Sequence, residues 1–257
     1  MPTRRLITTA YLGGKTLANK NDNTKVVILA GGKGTRLRPL TAVFPKPLVP
    51  VGDLPILEIL LAKLRNHDLR EAVISTGYLA ELIMALCGDG SKYGMTLTYI
   101  KEESPLGTAG PLSLVKDRLS NFIVMNGDLL TTLNFSNMIE YHTEQGADIT
   151  IGIQEREVKI DFGVVDTRNG LFEGFREKPT LNYDVSMGVN VLSQNVLSEL
   201  REGEYLDMPE LILKIHAAGG KVCCYREDCY WLDIGRMDDY AQAQADFNEN
   251  PALFLGG

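Results

Sequence analysis

The residues best suited to chemistry stand in a window that contains no acid. Between positions 25 and 52 lie Lys25, Lys33, Arg36, Arg38 and Lys46, and the first carboxylate after them is Asp53. The chain as a whole is acidic, with 33 Asp and Glu against 26 Lys and Arg. Residues 26–29 are apolar, of the buried-strand type, and Ala30-Gly31-Gly32-Lys33-Gly34-Thr35-Arg36 then breaks the run with three glycines and two cations. Glycine lets backbone N–H groups approach a ligand closely. Such N–H groups make an anion-binding concavity to which Lys and Arg add charge. The combination points to a polyphosphate site on a strand-to-loop turn. Two common phosphate loops are excluded by spacing. A P-loop needs Gly-Lys-Ser/Thr after four intervening residues, which the chain lacks. A dinucleotide fingerprint needs a third glycine where Leu37 stands, which disfavours hydride transfer from a nicotinamide.

The elements that must position this loop follow from the rest of the chain. Its 257 residues are 44% hydrophobic, enough for one large domain with a buried core. A net charge of −7 argues against non-specific binding to nucleic acid or an anionic membrane. No apolar run approaches the roughly 18 residues that span a bilayer. Residues 1–24 carry Arg4 and Arg5 with no apolar stretch behind them, so they read as a flexible extension rather than a signal peptide. Cys87, Cys223, Cys224 and Cys229 form no Cys-x-x-Cys pair, which fits reduced thiols in a cytoplasmic protein. His67, His142 and His216 fall in helix-like segments and read as packing or surface residues.

Strand and helix signals alternate up to residue 128. Helices are expected from Asp53-Leu54-Pro55 onward, over 79–87 and over 108–119; strands over 71–75, 95–100 and 122–125. From 148 the strands dominate, with a hairpin around Asn169-Gly170, a strand over 186–192, a capping box at Asp207-Met208-Pro209-Glu210, a strand over 221–225 and a closing helix over 238–247. The pattern is α/β with parallel pairs. In such sheets ligands sit beyond the carboxyl ends of the strands, where both the 31–36 loop and Asp128 fall.

Six blocks in order carry a resemblance over about residues 25–247. They are residues 29–37 with Pro45-Lys46-Pro47-Leu48, Pro105-Leu106-Gly107-Thr108-Ala109-Gly110, Asn126-Gly127-Asp128, Phe162-Gly163-Val164-Val165, Glu177-Lys178-Pro179 and Trp231-Leu232-Asp233-Ile234-Gly235. Together they resemble the sugar-1-phosphate nucleotidylyltransferases, or nucleoside-diphosphate-sugar pyrophosphorylases, and among these look most like mannose-1-phosphate guanylyltransferases. The resemblance implies a Rossmann-like three-layer α/β/α fold with a mixed central sheet, of the nucleotide-diphospho-sugar transferase type. It implies a domain over 25–247 and a tail over 248–257. It also implies attack by a sugar-1-phosphate on the α-phosphate of a nucleoside triphosphate, with release of pyrophosphate.

The same resemblance assigns residues. Arg36 and Lys46 would grip the triphosphate, and the backbone of Leu29, Ala30, Gly31 and Gly32 would hold the nucleoside. Gly34, Thr35, Glu103, Gly107 and Thr108 complete the nucleotide side. Asp128 and Asp233 would hold Mg²⁺, an ion suited to one or two carboxylates with phosphates and water. Asn126, Gly127, Gly163, Glu177, Lys178, Ser186 and Asn190 fall on the substrate side, with Lys178 also at the reacting phosphate. Trp231 reads as a packing anchor. Family members are often oligomeric, so a homo-oligomer is expected by analogy.

Base and sugar are less determined. Relatives that use uracil or thymine commonly carry a glutamine before the Pro-Leu-Gly block, where this chain has Glu102-Glu103. A carboxylate only accepts hydrogen bonds and so suits the adjacent N1–H and N2 donors of guanine, which favours GTP. The alternative is a uridylyl- or thymidylyltransferase acting on glucose-1-phosphate. The family usually has Asn-Ala-Gly-Ile-Tyr where this chain has Ser186-Met187-Gly188-Val189-Asn190. Ser186 has a shorter reach, and Asn190 either contributes to sugar recognition or fills the tyrosine position. Residues 205–209 and 231–240 resemble bacterial enzymes for surface-polysaccharide sugars. A catalytically silent nucleotide- or sugar-binding subunit is the competing reading from another class; it would have lost the charged set that this chain keeps.

Overall fold

The computed structural model describes residues 24–115 and 120–256. Residues 1–23, where most of the expected N-terminal extension falls, lie outside them, as do 116–119. In chain order the elements are β1 (Lys25–Ala30), β2 (Pro50–Val51), β3 (Leu54–Pro55), α1 (Ile56–Asn66), β4 (Glu71–Thr76), α2 (Ala80–Cys87) and β5 (Thr96–Lys101). They continue with β6 (Phe122–Asn126), β7 (Leu129–Thr131), α3 (Phe135–Gln145), β8 (Ile149–Lys159), β9 (Val164–Arg168), β10 (Leu171–Arg176) and β11 (Thr180–Leu192). The last are α4 (Met208–Ala217), β12 (Val222–Arg226), β13 (Trp231–Asp233), α5 (Met237–Glu249) and α6 (Pro251–Leu255).

A seven-stranded sheet in the order β12-β8-β11-β6-β1-β4-β5 forms the centre. β1 lies parallel to both β4 and β6, and β5 parallel to β4, because helical or looped crossovers return each strand in the same sense. β11 is antiparallel to β6 and to β8, which makes the sheet mixed. Alternation along β1 divides the core. Val26, Ile28 and Ala30 face α1, α2 and α3 with Leu57, Leu61, Leu64, Ile83 and Phe135. Val27 faces the opposite layer with Val124, Phe122 and the α4 residues Leu211 and Ile215. A third cluster joins Leu37, Val49 and Ile56 to Ile234, Phe247 and Phe254, and so ties the phosphate-loop segment to the C-terminal helices.

The sequence expectations differ from this fold at three places. Asp53 does not cap α1: Gly52 takes φ 58° and folds Leu54–Pro55 back on Pro50–Val51, so the helix begins at Ile56. The helix expected from Thr108 shrinks, among the described residues, to a 3₁₀ segment at Gly110–Leu114. There a Cβ on Gly110 would stand 2.5 Å from the Glu204 carbonyl, so the loop is held by backbone contact rather than by helical periodicity. The C-terminal tail is helical through α6, and Phe254 is buried against Tyr230 and Phe247.

Two histidines are packing groups with a thermodynamic consequence. His142 is buried, with Nδ1 2.9 Å from Thr150 Oγ1 and Nε2 3.0 Å from Ser193 Oγ. Burial holds its pKa below the ordinary imidazole value, and the same cause lowers that of His67. The unfolded chain takes up these protons near pH 6.5 while the native state does not. Stability is therefore complete above that pH and is lost as pH falls below it. Thermal midpoints between pH 7 and pH 5 should decline, and His142→Gln should flatten part of that slope. A slope unchanged by the substitution would contradict the assignment.

Candidate active site

The carboxyl edge of the sheet carries two adjoining cavities. The first, about 360 Å³, is lined by Leu29, Ala30, Gly31, Gly32, Lys46, Pro47, Glu102, Pro105, Gly107, Thr108, Asn126, Asp128 and Tyr205. The second, about 250 Å³, is lined by Leu29, Thr108, Val124, Asn126, Ser186, Met187, Gly188, Asn190, Met208, Pro209, Trp231 and Asp233. Leu29, Thr108 and Asn126 belong to both and form the partition.

Each wall has a local cause. β1 ends at Ala30, and the glycines that follow leave its backbone bare to the first cavity. The Gly127 N–H donates to the Leu29 carbonyl at 2.9 Å, which fixes Asp128 just beyond the end of β6. Asp233 closes β13, which pairs antiparallel with β7 so that Asp233 stands opposite Leu129. Two acids far apart in the chain, Asp128 and Asp233, are thus brought to one edge beside the phosphate loop. Lys46, in a 3₁₀ turn with buried Pro47 and Leu48, makes an ion pair with Asp128, and its Nζ lies 3.8 Å from Asp233 Oδ1.

The pair of acids is strained electrostatically. Burial raises the Asp233 pKa, and the neighbouring Asp128 charge adds to it; Lys46 and Arg36 pull the other way. Asp128 Oδ1 and Asp233 Oδ1 are both buried without a hydrogen-bond partner among the described residues. Two hard oxygens, unsatisfied and at the same edge, fit a small divalent cation whose other ligands are phosphates and water. No cluster of three or more His, Cys, Asp or Glu suited to a metal occurs among the described residues.

The residues expected on the nucleotide side are placed unevenly about the first cavity. Leu29, Ala30, Gly31, Gly32, Gly107 and Thr108 line the first cavity. Gly34 and Thr35 do not; Gly34 takes φ 59° and opens the short helix Thr35–Leu37, which seats on buried Leu37. Arg36 is exposed, and its guanidinium nitrogens lie 3.8 Å from where a Cβ on Gly235 would stand, next to Asp233 rather than inside the cavity. Of the two adjacent acids, Glu102 lines the first cavity and Glu103, the one expected there, does not. The Glu102 N–H donates to the Thr76 carbonyl at 2.8 Å and continues the strand alternation, so its side chain turns inward and that of Glu103 turns to solvent. Glu102 Oε1 accepts from Ser75 Oγ at 2.8 Å and Oε2 from the Leu106 N–H at 3.2 Å.

On the substrate side, Asn126, Ser186 and Asn190 line the second cavity, whereas Gly127 does not and donates its N–H to the Leu29 carbonyl. Gly163, Glu177 and Lys178 are not brought to either cavity. They sit on an exposed arm formed by β9, β10 and the outer halves of β8 and β11, where Gly163 packs against Phe175. Trp231 is both an anchor and a wall: its Nε1–H donates to the Met187 carbonyl at 2.8 Å.

Tyr205 is a wall residue that local sequence does not reveal. Its hydroxyl donates to Asp207 Oδ2 at 2.7 Å, while Asp207 Oδ1 accepts from the Thr108 N–H at 3.1 Å and from its hydroxyl at 3.2 Å. Asp207 thereby clamps the nucleotide loop to the start of α4, whose Met208 and Pro209 line the second cavity. The expected capping box is present: Glu210 Oε2 accepts from the Asp207 N–H at 3.2 Å.

A Gly-rich turn and paired acids at the carboxyl edge of a mixed sheet define the Rossmann-like fold of nucleotide-diphospho-sugar transferase type. The chain belongs to the nucleotidyl transferase family, whose model matches residues 25–250. It is 32% identical over 229 residues to a mannose-1-phosphate guanylyltransferase of Mycobacterium tuberculosis, covering 86% of this chain and 63% of that protein. It is 32% identical over 240 residues to a UTP–glucose-1-phosphate uridylyltransferase of Synechocystis sp., covering 85% of this chain and 62% of that one. The chain therefore spans a little over three fifths of the length of these curated relatives. Among solved structures, HddC from Yersinia pseudotuberculosis complexed with GMP-PN is similar, with a TM-score of 0.67, 26% identity and coverage of 87% of this chain and 99% of that one.

Proposed function

We propose that the protein transfers a nucleotidyl group from a nucleoside triphosphate, with GTP favoured, to a sugar-1-phosphate, giving a nucleoside-diphosphate sugar and pyrophosphate. The observation that carries this is the meeting of Lys46, Asp128 and Asp233 where the two cavities adjoin. One cavity would hold the triphosphate and the other the sugar phosphate. A phosphate oxygen of the sugar forms a bond to the α-phosphorus, and the bond from that phosphorus to the bridging oxygen breaks as pyrophosphate leaves. No protein nucleophile is required. Two polyanions must approach, so alignment and charge neutralisation supply most of the acceleration.

Lys46 would neutralise the phosphate chain, with Arg36 reaching in from the adjacent turn. Asp128 and Asp233 would hold Mg²⁺, which when bound would offset charge on the phosphates. Lys46 now occupies the acids as an ion-pair partner, and substrate phosphates would draw its ammonium away. Glu177 and Lys178 would reach the sugar phosphate only if the arm carrying them approached the second cavity. The resemblance of residues 205–209 and 231–240 supports a product destined for surface polysaccharide or glycoconjugate.

Guanine is favoured by Glu102. A carboxylate offers about four acceptor sites. Ser75 and Leu106 use two of them, leaving two for the N1–H and N2 donors of guanine. The names of the guanylyltransferase relatives and the GMP-PN complex of HddC agree with this choice. Steady-state kinetics with each common nucleoside triphosphate test it. Glu102→Gln should lower kcat/KM with GTP by about 10- to 100-fold relative to UTP, the discrimination expected of one lost bidentate base contact. A wild-type protein that uses only UTP or dTTP would reject the guanine reading.

A further inference from the structure

We propose that Asn190 reads a hydroxyl on the C3–C4 edge of the sugar ring, remote from the anomeric phosphate, so that the second cavity selects a pyranose 1-phosphate bearing a free hydroxyl there. The inference rests on the nucleotidyl-transfer reading and deepens it. Asn190 is only 4% exposed yet lies on the cavity wall. Its Oδ1 is buried with no hydrogen-bond partner among the described residues. Three of its neighbours are apolar: Val124 opposite, Leu192 two residues on, and Met208 across the cavity. A residue serving packing alone would be apolar too, because a buried amide oxygen left unpaired loses its hydration with no return. Rotation of the carboxamide by half a turn exchanges oxygen and nitrogen, so the group can present either to a ligand.

The backbone delivers this side chain to the cavity. β11 keeps register with β8 at Ser186 opposite Ile153 and resumes with Asn190 opposite Ile151, so the intervening residues bulge. Bulges beside a site re-aim side chains. Gly188, at φ 69°, makes the bend. In the ladder to β6, Asn190 stands opposite Val124, two residues before Asn126, which belongs to both cavities. Two strand residues span about 6.6 Å, the scale of one pyranose ring. With the phosphate end at the partition, Asn190 is therefore at the far edge of the ring. Trp231 cannot substitute for it, since its single donor is committed to the Met187 carbonyl.

The test crosses substrate with protein. Deoxy analogues of the preferred sugar-1-phosphate, lacking the hydroxyl at C2, C3, C4 or C6, are compared on wild type and Asn190→Leu. Turnover is read by pyrophosphate release, and binding of the same sugar phosphates by calorimetry. Wild type should lose roughly 10- to 100-fold with the C3- or the C4-deoxy compound. Asn190→Leu should lose as much with the parent sugar and nothing further with that analogue, and its thermal midpoint should equal or exceed that of wild type. Normal handling of the parent sugar by the variant, or a full deoxy penalty persisting in it, would overturn the assignment, as would a marked fall in its midpoint. Absence of pyrophosphate release with the binding cycle intact would sink nucleotidyl transfer and leave the role of Asn190 standing.

Discussion

Asp128→Asn is expected to lower turnover by roughly 10²- to 10³-fold, the scale of losing one preorganised group at a developing charge. The substitution keeps the size of the side chain and removes its charge. Asp128 faces the first cavity, pairs with Lys46, and has an Oδ1 with no hydrogen-bond partner among the described residues. The folded protein should tolerate the change. Its charge is one cause of the raised pKa of Asp233, and Lys46 keeps Asp233 Oδ1 at 3.8 Å. Thermal melts supply a readout apart from activity. A cation bound only by the folded state raises the midpoint. Addition of Mg²⁺ should therefore raise that of wild type and leave that of Asp128→Asn nearly unmoved. Near-normal turnover, or an equal Mg²⁺ response in both, would remove the metal role from this carboxylate.

Gly188→Ala is expected to impair both stability and turnover. A side chain at φ 69° sits in the left-handed region, which costs about 1–2 kcal/mol. The added Cβ would also stand 2.5 Å from Asn126 Nδ2. Asn126 lines both cavities, so its displacement misaligns the two substrates with each other. A misplacement of about 1 Å can cost about 10²-fold in rate. Denaturant titration should report a loss of roughly 1–3 kcal/mol, and kinetics a fall in kcat exceeding the change in either KM. A variant of wild-type stability and rate would show that the bulge has slack the close contact does not suggest.

These effects separate what the sequence makes legible from what only the fold reveals. The glycine loop, Lys46, Asp128 and Asp233 could be read because each sits in a short block with a local signature. Their meeting could not be derived from spacing, since β13 reaches Asp128 only by pairing with β7. Glu102 and Glu103 are adjacent, and the choice between them is set by strand alternation at the end of β5, a matter of one residue in register. Tyr205 joins the first cavity through a clamp between Asp207 and Thr108, partners about a hundred positions apart. The helix expected from Thr108 gave way to backbone packing against residues 204–206. Asn190 was visible as a departure from the family pattern, but its unpaired oxygen emerges only from the packed sheet. Glu177 and Lys178 show the converse. Their block is plain in the sequence, and the structure sets it on an exposed arm away from both cavity walls.

The most direct test of the account is pyrophosphate release from purified protein supplied with Mg²⁺, GTP and a panel of pyranose 1-phosphates, with the nucleotide sugar identified by mass. The account predicts that pyrophosphate and a nucleoside-diphosphate sugar form in equal amounts, that both depend on the sugar phosphate and on Mg²⁺, and that both are lost in Asp128→Asn. Failure of every nucleoside triphosphate and sugar phosphate pair to release pyrophosphate, from a protein that still binds nucleotide, would contradict it.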